Sequence, residues 1–216
     1  RAALSCDFTD LPVLVRINPA GTPWHEADLD AAAALPFAAI MLPKAECPES
    51  ITRIARQAGR PVLPLIETAA GLAAARAIAA CADVARLAFG SIDFCADIGC
   101  EHLRETLRPV RLELVIASRL GGIAPPIDGV TVDLSDPAIT LGDARHARSL
   151  GMTGKLCIHP RQVAPAQTGF APTAAQREWA ARVLASGDGA VSVDGAMVDE
   201  PVRLRARAIL AQAERP

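Results

Sequence analysis

The chain has 216 residues, 51% of them hydrophobic and 21% charged, enough for one core of ordinary size and too few for two full domains. Its 22 basic and 24 acidic side chains give a formal net charge of -2, which leaves no field of one sign for nucleic acid or an anionic membrane surface. No apolar run reaches the ~20 residues of a bilayer span, the start RAALSCDFTD has no signal-peptide pattern, and Cys6, Cys47, Cys81, Cys95, Cys100 and Cys157 form no Cys-x-x-Cys, so reduced thiols and a cytoplasmic location are expected.

In chain order, strand-sized apolar runs recur at 12–17 (PVLVRI), 38–42 (AAIML), 62–67 (VLPLIE), 85–90 (ARLAFG), 128–134 (DGVTVDL) and 155–160 (KLCIHP). Most are continuous rather than alternating, the pattern of strands buried on both faces of a parallel sheet. Between them, 68–81 places Leu72, Ala75 and Ile78 on one helical face, and 104–120 does the same with Val110, Leu114 and Ala117. Strand and helix alternate, which predicts an α/β fold with right-handed crossovers. No Gly-x-Gly-x-x-Gly marks an open dinucleotide-binding sheet, so a closed (β/α)8 barrel is the expected architecture. Such a barrel takes eight strands and about 250 residues, and the deficit of about two βα units is expected to lie ahead of Arg1, where the chain opens on a helix-like fragment.

After His159 the pattern changes. A helix at 173–185 is followed by SGDGAVSVDGAMVDEP, which reads as a hairpin or extended arm, and by a last helix at 201–213 with proline in its first turn. The reading is a barrel over 1–170 and an extension over 171–216 that is too small to own a core and so packs on a neighbouring subunit.

In a barrel the reacting groups close the strands at their carboxyl ends. Arg16, Lys44, Glu67, Asp93, Asp133 and His159 are the polar residues there. Glu67 and Asp93 belong to successive strands, ~4.8 Å apart in a parallel sheet, so their carboxylates can meet. The pair is relieved by a shared proton or a cation, and Mg²⁺, held by one or two carboxylates with water and substrate, suits it. Arg16 offers a planar fork for a substrate carboxylate. Lysine occurs only at 44 and 155. Lys44 stays open between a functional ammonium and a surface residue, whereas Lys155 reads as surface. His159, before a proline, reads first as a hydrogen-bonded structural residue, with a base as the alternative, and His25, His102 and His146 carry no assignment.

The strings VLVRINP, IMLPKAE, PLIETAAG, FGSIDF, GKLCIHPRQV and GAMVDEPV, in that order over nearly the whole chain, resemble the successive motifs of the HpcH/HpaI aldolase and citrate lyase family, in its citrate lyase beta-subunit-like branch. The resemblance implies a (β/α)8 barrel and Mg²⁺-dependent cleavage or formation of a carbon–carbon bond in a hydroxyacyl-CoA such as citryl-CoA, citramalyl-CoA or malyl-CoA. It implies Glu67 and Asp93 as metal ligands, and Arg16 as the holder of the oxo-acid carboxylate. Lys44 and Glu67 join Arg16 as expected substrate contacts, Lys44 towards the CoA phosphates. Asp199, the aspartate of GAMVD, is implied to complete a neighbour's site as a catalytic acid, within a homotrimer or hexamer. The family's opening strand with a proline-glycine turn and its acidic DLED-like motif do not occur here. A pyruvate aldolase acting on free hydroxy-oxo acids and a non-catalytic assembly subunit are the rival functions. The tail motif favours the CoA branch over the first, and the Arg, Glu and Asp set argues against the second.

Overall fold

A computed structural model describes residues 11–187 and 191–213; Cys6 and the helix-like opening fragment lie outside the described residues. The strands are β1 (Leu14–Arg16), β2 (Ala39–Leu42), β3 (Val62–Ile66), β4 (Arg86–Phe89), β5 (Ala124–Asp128) and β6 (Gly154–Lys155), all parallel and ordered in space as in sequence. Between them run α1 (His25–Ala34), α2 (Pro48–Ala58), α3 (Ala69–Ala79), α4 (Ser91–Ile98), α5 (Arg104–Leu120) and α6 (Pro137–Ser149). Sequential parallel order is that of a barrel wall, and β1 and β6 remain unpaired edges among the described residues. The expected eight-stranded closure is therefore present as a six-stranded part only.

The central runs are buried on both faces, as their pattern requires: every residue of β3 is buried and β2 and β4 nearly so, whereas the edge strand β1 is largely exposed. One core joins Ile40, Leu42, Val62, Ile66, Leu87 and Phe89 of the sheet to Leu29, Ile51, Ile54, Ile78, Leu107 and Leu114 of the helices. The helix over 104–120 lies where its periodicity puts it, with Val110, Leu114 and Ala117 inward. Ala75 and Ile78 of α3 are buried and Leu72 packs at the margin.

Prolines explain where strands depart from expectation. Pro64 has no N–H to give a ladder, and the β3–β4 pairing breaks there: an isolated bridge joins Val62 to Val84, and regular pairing resumes at Leu65 with Ala88. The fifth strand, expected over 128–134, is instead APPID at 124–128. Its two prolines argue against a strand on sequence grounds, yet the register between β4 and β5 shifts across them. Their carbonyls are still used, Pro125 O accepting from Arg86 and Pro126 O from the Thr153 amide. The sixth strand is likewise shorter than its apolar run.

Lys155 is not a surface residue. Its side chain is 1% exposed and meets Asp128 Oδ2 at 3.3 Å, while Arg111 of α5, also buried, donates to Asp128 Oδ1 at 2.7 Å. Arg111 in turn lies over the Phe89 ring, whose other neighbour is the edge of Phe94 in α4. Lys155 also donates to the carbonyl of Gly129. The carboxyl ends of β5 and β6 are thus tied to α5 by one anion between two buried cations.

Beyond a single 3₁₀ turn at Pro160–Gln162 come α7 (Val163–Phe170), α8 (Ala174–Ala185), the antiparallel pair β7 (Val191–Val193) and β8 (Ala196–Val198), and α9 (Glu200–Ala213). Thr173 and Gln176 cap α8 reciprocally. Contrary to the expectation of a coreless tail, Ala180, Val183, Val198, Ala206 and Ile209 form a small buried cluster of their own. Cys47, Cys81, Cys95, Cys100 and Cys157 are free thiols, and among the described residues no helix is long and apolar enough to cross a membrane.

Loss of Asp128 would strand two buried cations, Arg111 and Lys155. Asp128→Ala is expected to destabilise the fold by about 3–5 kcal/mol in urea unfolding, because breaking a buried pair leaves uncompensated charge. An unchanged midpoint and slope would show the cluster to be neutral to stability.

Candidate active site

Consecutive parallel strands deliver successive side chains to the same rim. Arg16 is the last residue of β1, Lys44 follows β2, Glu67 follows β3 and Asp93 stands in the first turn of α4, after β4. All four line one cleft of about 310 Å³ together with Ile17, Asn18, Pro19 and Pro43. A smaller recess of about 80 Å³ continues beneath Arg16, Glu67 and Asp93 to Gly90, Ser91, Val130 and Leu156. The roomier grooves, of about 500 and 560 Å³, lie against α8 and α9, lined by residues such as Trp179, Met197, Arg148 and Arg205. No acidic residue lines either, and we place the chemistry where carboxylates converge.

Glu67 is 4% exposed. Its Oε1 accepts the amide of Lys44 at 2.8 Å, and Lys44 adopts φ 49°, a left-handed conformation uncommon for a side-chain-bearing residue. The Lys44 loop is held in turn by Thr68, which caps α3 through the Gly71 amide and donates to Glu46 Oε1 at 2.7 Å. Gly71 has no room for a side chain against the Ala45 carbonyl. On the other flank Gly90 is equally obligatory, since a Cβ there would run into the Cβ and Oε2 of Glu67. The glutamate is thereby clasped between two backbone segments.

Burial pushes the Glu67 carboxyl above its ordinary pKa; the Lys44 amide opposes this, the Asp93 carboxylate adds to it, and Arg16 and Lys44 oppose it by charge. Among the described residues no group of three or more His, Cys, Asp or Glu side chains forms a ready metal cage. Two hard carboxylate oxygens in one cleft, one shielded and destabilised as an anion, nevertheless fit Mg²⁺, which keeps waters and substrate in its remaining positions.

The other sequence candidates do not reach this cleft. Asp133 lies outside the strand assigned to it, exposed in the loop after β5, and accepts the amide and hydroxyl of Ser135, which hold its pKa down. His159 caps the 3₁₀ turn, its Nδ1 accepting from the Arg161 amide at 3.1 Å, so the structural reading holds. Asp199 is exposed and caps α9, accepting the Val202 amide at 3.2 Å; neither recess containing Glu67 and Asp93 is lined by any described residue beyond Leu156. Sequence reasoning missed Gly90 and Ser91, although the glycine before the acidic first turn in FGSIDF was a signal of close approach.

A family model matches the sequence that builds this site. The model described as HpcH/HpaI aldolase/citrate lyase covers residues 2–160. The chain belongs to that family. It is 36% identical over 214 residues to the citrate lyase subunit beta-like protein of Deinococcus radiodurans, covering 93% of this chain and 75% of the relative. It is 31% identical over 227 residues to the mitochondrial citramalyl-CoA lyase of Homo sapiens, covering 89% of this chain and 66% of the relative. The crystal structure of CitE from Mycobacterium tuberculosis in complex with magnesium, acetoacetate and coenzyme A superposes with a TM-score of 0.85 at 33% identity, over 94% of this chain and 78% of that one. Family membership makes the protein an enzyme of the aldolase and citrate lyase kind, and similar proteins are carbon–carbon lyases.

The clasp on Glu67 has a thermodynamic signature. A carboxyl whose folded pKa exceeds its unfolded one costs the native state nothing below the unfolded value, and its penalty is complete above the folded value. Glu67→Gln is therefore expected to raise the melting temperature of the metal-free protein at neutral pH, with the gain fading as pH falls from the raised folded value to the ordinary glutamate one. A loss of stability in the metal-free variant at neutral pH would contradict the assignment.

Proposed function

We propose that the protein is a Mg²⁺-dependent lyase that cleaves, or in reverse forms, the carbon–carbon bond of a 3-hydroxyacyl-CoA, giving an oxo acid and a shorter acyl-CoA. The observation that carries this reading is the convergence of Arg16, Glu67 and Asp93 on one cleft at the carboxyl rim. Support comes from relatives named as lyases of such thioesters and from the CitE complex with magnesium, acetoacetate and coenzyme A.

Glu67 and Asp93 would hold the cation, which when bound supplies positive charge beside the oxygen that becomes the carbonyl of the oxo acid. Arg16, exposed at the rim, binds the neighbouring carboxylate through two parallel N–H donors and so orients the bond to be broken. The Lys44 amide fixes the direction of Glu67, while its exposed ammonium is free to meet CoA phosphate. Cleavage leaves an electron pair on the thioester α-carbon, which must take up a proton as the substrate hydroxyl gives one up. Asp199 is our candidate for delivering it.

Asp199 does so, on this reading, from another chain. Residues 171–216 pack on a neighbouring barrel within a homotrimer or hexamer. Supporting this are the absence of described tail residues from the cleft lining, the exposed position of Asp199 and the exposure of Met197 and Leu204 at 72% and 57%. Large apolar side chains left in water on both β8 and α9 are the composition of an interface.

Two measurements test the proposal. Full-length protein incubated with a panel of 3-hydroxyacyl-CoA thioesters is expected to release oxo acid with Mg²⁺ and none in chelator. Arg16→Lys should lower kcat/KM on the order of 100-fold with metal affinity unchanged, since it keeps the charge and loses the fork. Turnover in chelator, or a silent Arg16→Lys, would sink the mechanism.

Mixing inactive Asp199→Ala with inactive Glu67→Gln chains under exchange conditions should restore part of the activity, because some sites then draw their good residues from different chains. No recovery despite demonstrated exchange would remove Asp199 from a shared site.

A further inference from the structure

Ser91 opens α4 in the same turn as Asp93 and is 1% exposed. Its hydroxyl lies 2.9 Å from Nε2 of His102, in the connection between α4 and α5. On its other side stands Gly129, where any side chain would collide with Ser91 Oγ and press on the Phe89 carbonyl. Gly129 is itself held from behind, its carbonyl accepting from the buried Lys155. Just before Ser91, Gly90 donates its amide to Ile66 O at 2.8 Å and rests against the stem of Glu67. The start of α4 is thus held from three directions: by His102, by the close approach of Gly129 and by the Gly90 amide. A buried hydroxyl is placed by its hydrogen bond, and Gly129 leaves no space for a replacement water on its side.

The imidazole suits this task. Burial, and then the Arg111 and Lys155 charges, hold the His102 pKa below its ordinary value, against the weaker pull of Asp143 and Asp128. A neutral ring meets Ser91 at neutral pH.

We infer that His102 is a positioning residue: through Ser91 it fixes the first turn of α4, and so the direction in which Asp93 presents its carboxylate to a divalent cation shared with Glu67. The inference rests on the metal reading proposed above. A merely structural histidine would alter the melting temperature and leave the metal site as it was. Outer partners of metal ligands, by contrast, commonly cost 10- to 100-fold in metal affinity when removed.

The test uses Mn²⁺ as the probe on the full chain, with affinity from titration and coordination symmetry from the electron paramagnetic resonance line shape. His102→Leu is expected to weaken Mn²⁺ binding on the order of 10-fold and to change the line shape of the bound ion. His102→Gln, which returns an amide towards Ser91, should recover part of both. Ser91→Ala should weaken binding by a similar factor, and Ser91→Ala with His102→Leu should be no worse than the poorer single variant, because both remove one interaction. Asp93→Asn separates the two levels. If it binds Mn²⁺ like the unaltered chain, the metal reading itself fails. If it abolishes binding while folded His102→Leu keeps the parent affinity and line shape, the positioning role is overturned. Should His102→Leu not fold, parent affinity and line shape in Ser91→Ala overturn it equally.

Discussion

Two carboxylates facing one cleft, one of them shielded from water, set the terms for the whole carboxyl rim. Burial is the main cost to Glu67, and the Asp93 charge on the same cleft adds to it. Glu67 tolerates its burial because a backbone amide meets one oxygen and the α3 N-terminus begins beside it. The remaining cost is carried by a core whose sheet residues are among the most completely buried in the chain. On the proposed reading, stability is spent where the chemistry is, in line with the raised Glu67 pKa.

That pair can exist only because the clasp around it is made largely of backbone. Gly71 lets α3 approach the Lys44 loop, and Gly90 lets α4 approach Glu67. Gly129 lets β5's exit approach Ser91. Each is a place where a methyl group would push one rim element away from the next. Behind them Asp128, between Arg111 and Lys155, anchors the last strand ends to α5. The interior charges thus serve as a foundation, and the charges proposed to react stand at the top of it. The Phe89–Phe94 contact and the Arg111 guanidinium over Phe89 connect the two layers through one ring.

Much of this was legible in the sequence because parallel strands buried on both faces write themselves as unbroken apolar runs, and because the residue closing each run is the one the fold exposes to the cleft. Arg16, Lys44, Glu67 and Asp93 followed from that alone, and the structure brings them together. Prolines hid the fifth strand: a local rule against proline in ladders is overridden where the register shifts to spare the missing N–H. Asp133 was mislaid as a consequence. Lys155 was misjudged because a lysine's exposure depends on whether a carboxylate waits inside, and Asp128 is matched to it across β5 and β6 by register, not by sequence spacing. The buried cluster of the tail was missed for a similar reason, since its members come from α8, β8 and α9 and none forms a run.

The tail's core bears on how the site is completed. A segment that organises its own apolar cluster, with Arg182 paired to Asp194 across to the hairpin, can keep its shape while resting on a surface supplied by another chain. A thioester enolate needs water kept from it until its proton arrives, yet Arg16 and Lys44 stand exposed at the cleft. A cover brought as one preformed piece loses less conformational entropy on docking than an unstructured strap would. On the proposed reading, the hairpin and α9 present Asp199 at a helix N-terminus, with its direction already fixed by the Val202 amide. Acid delivery and water exclusion then arrive in a single event, and neither can occur without assembly.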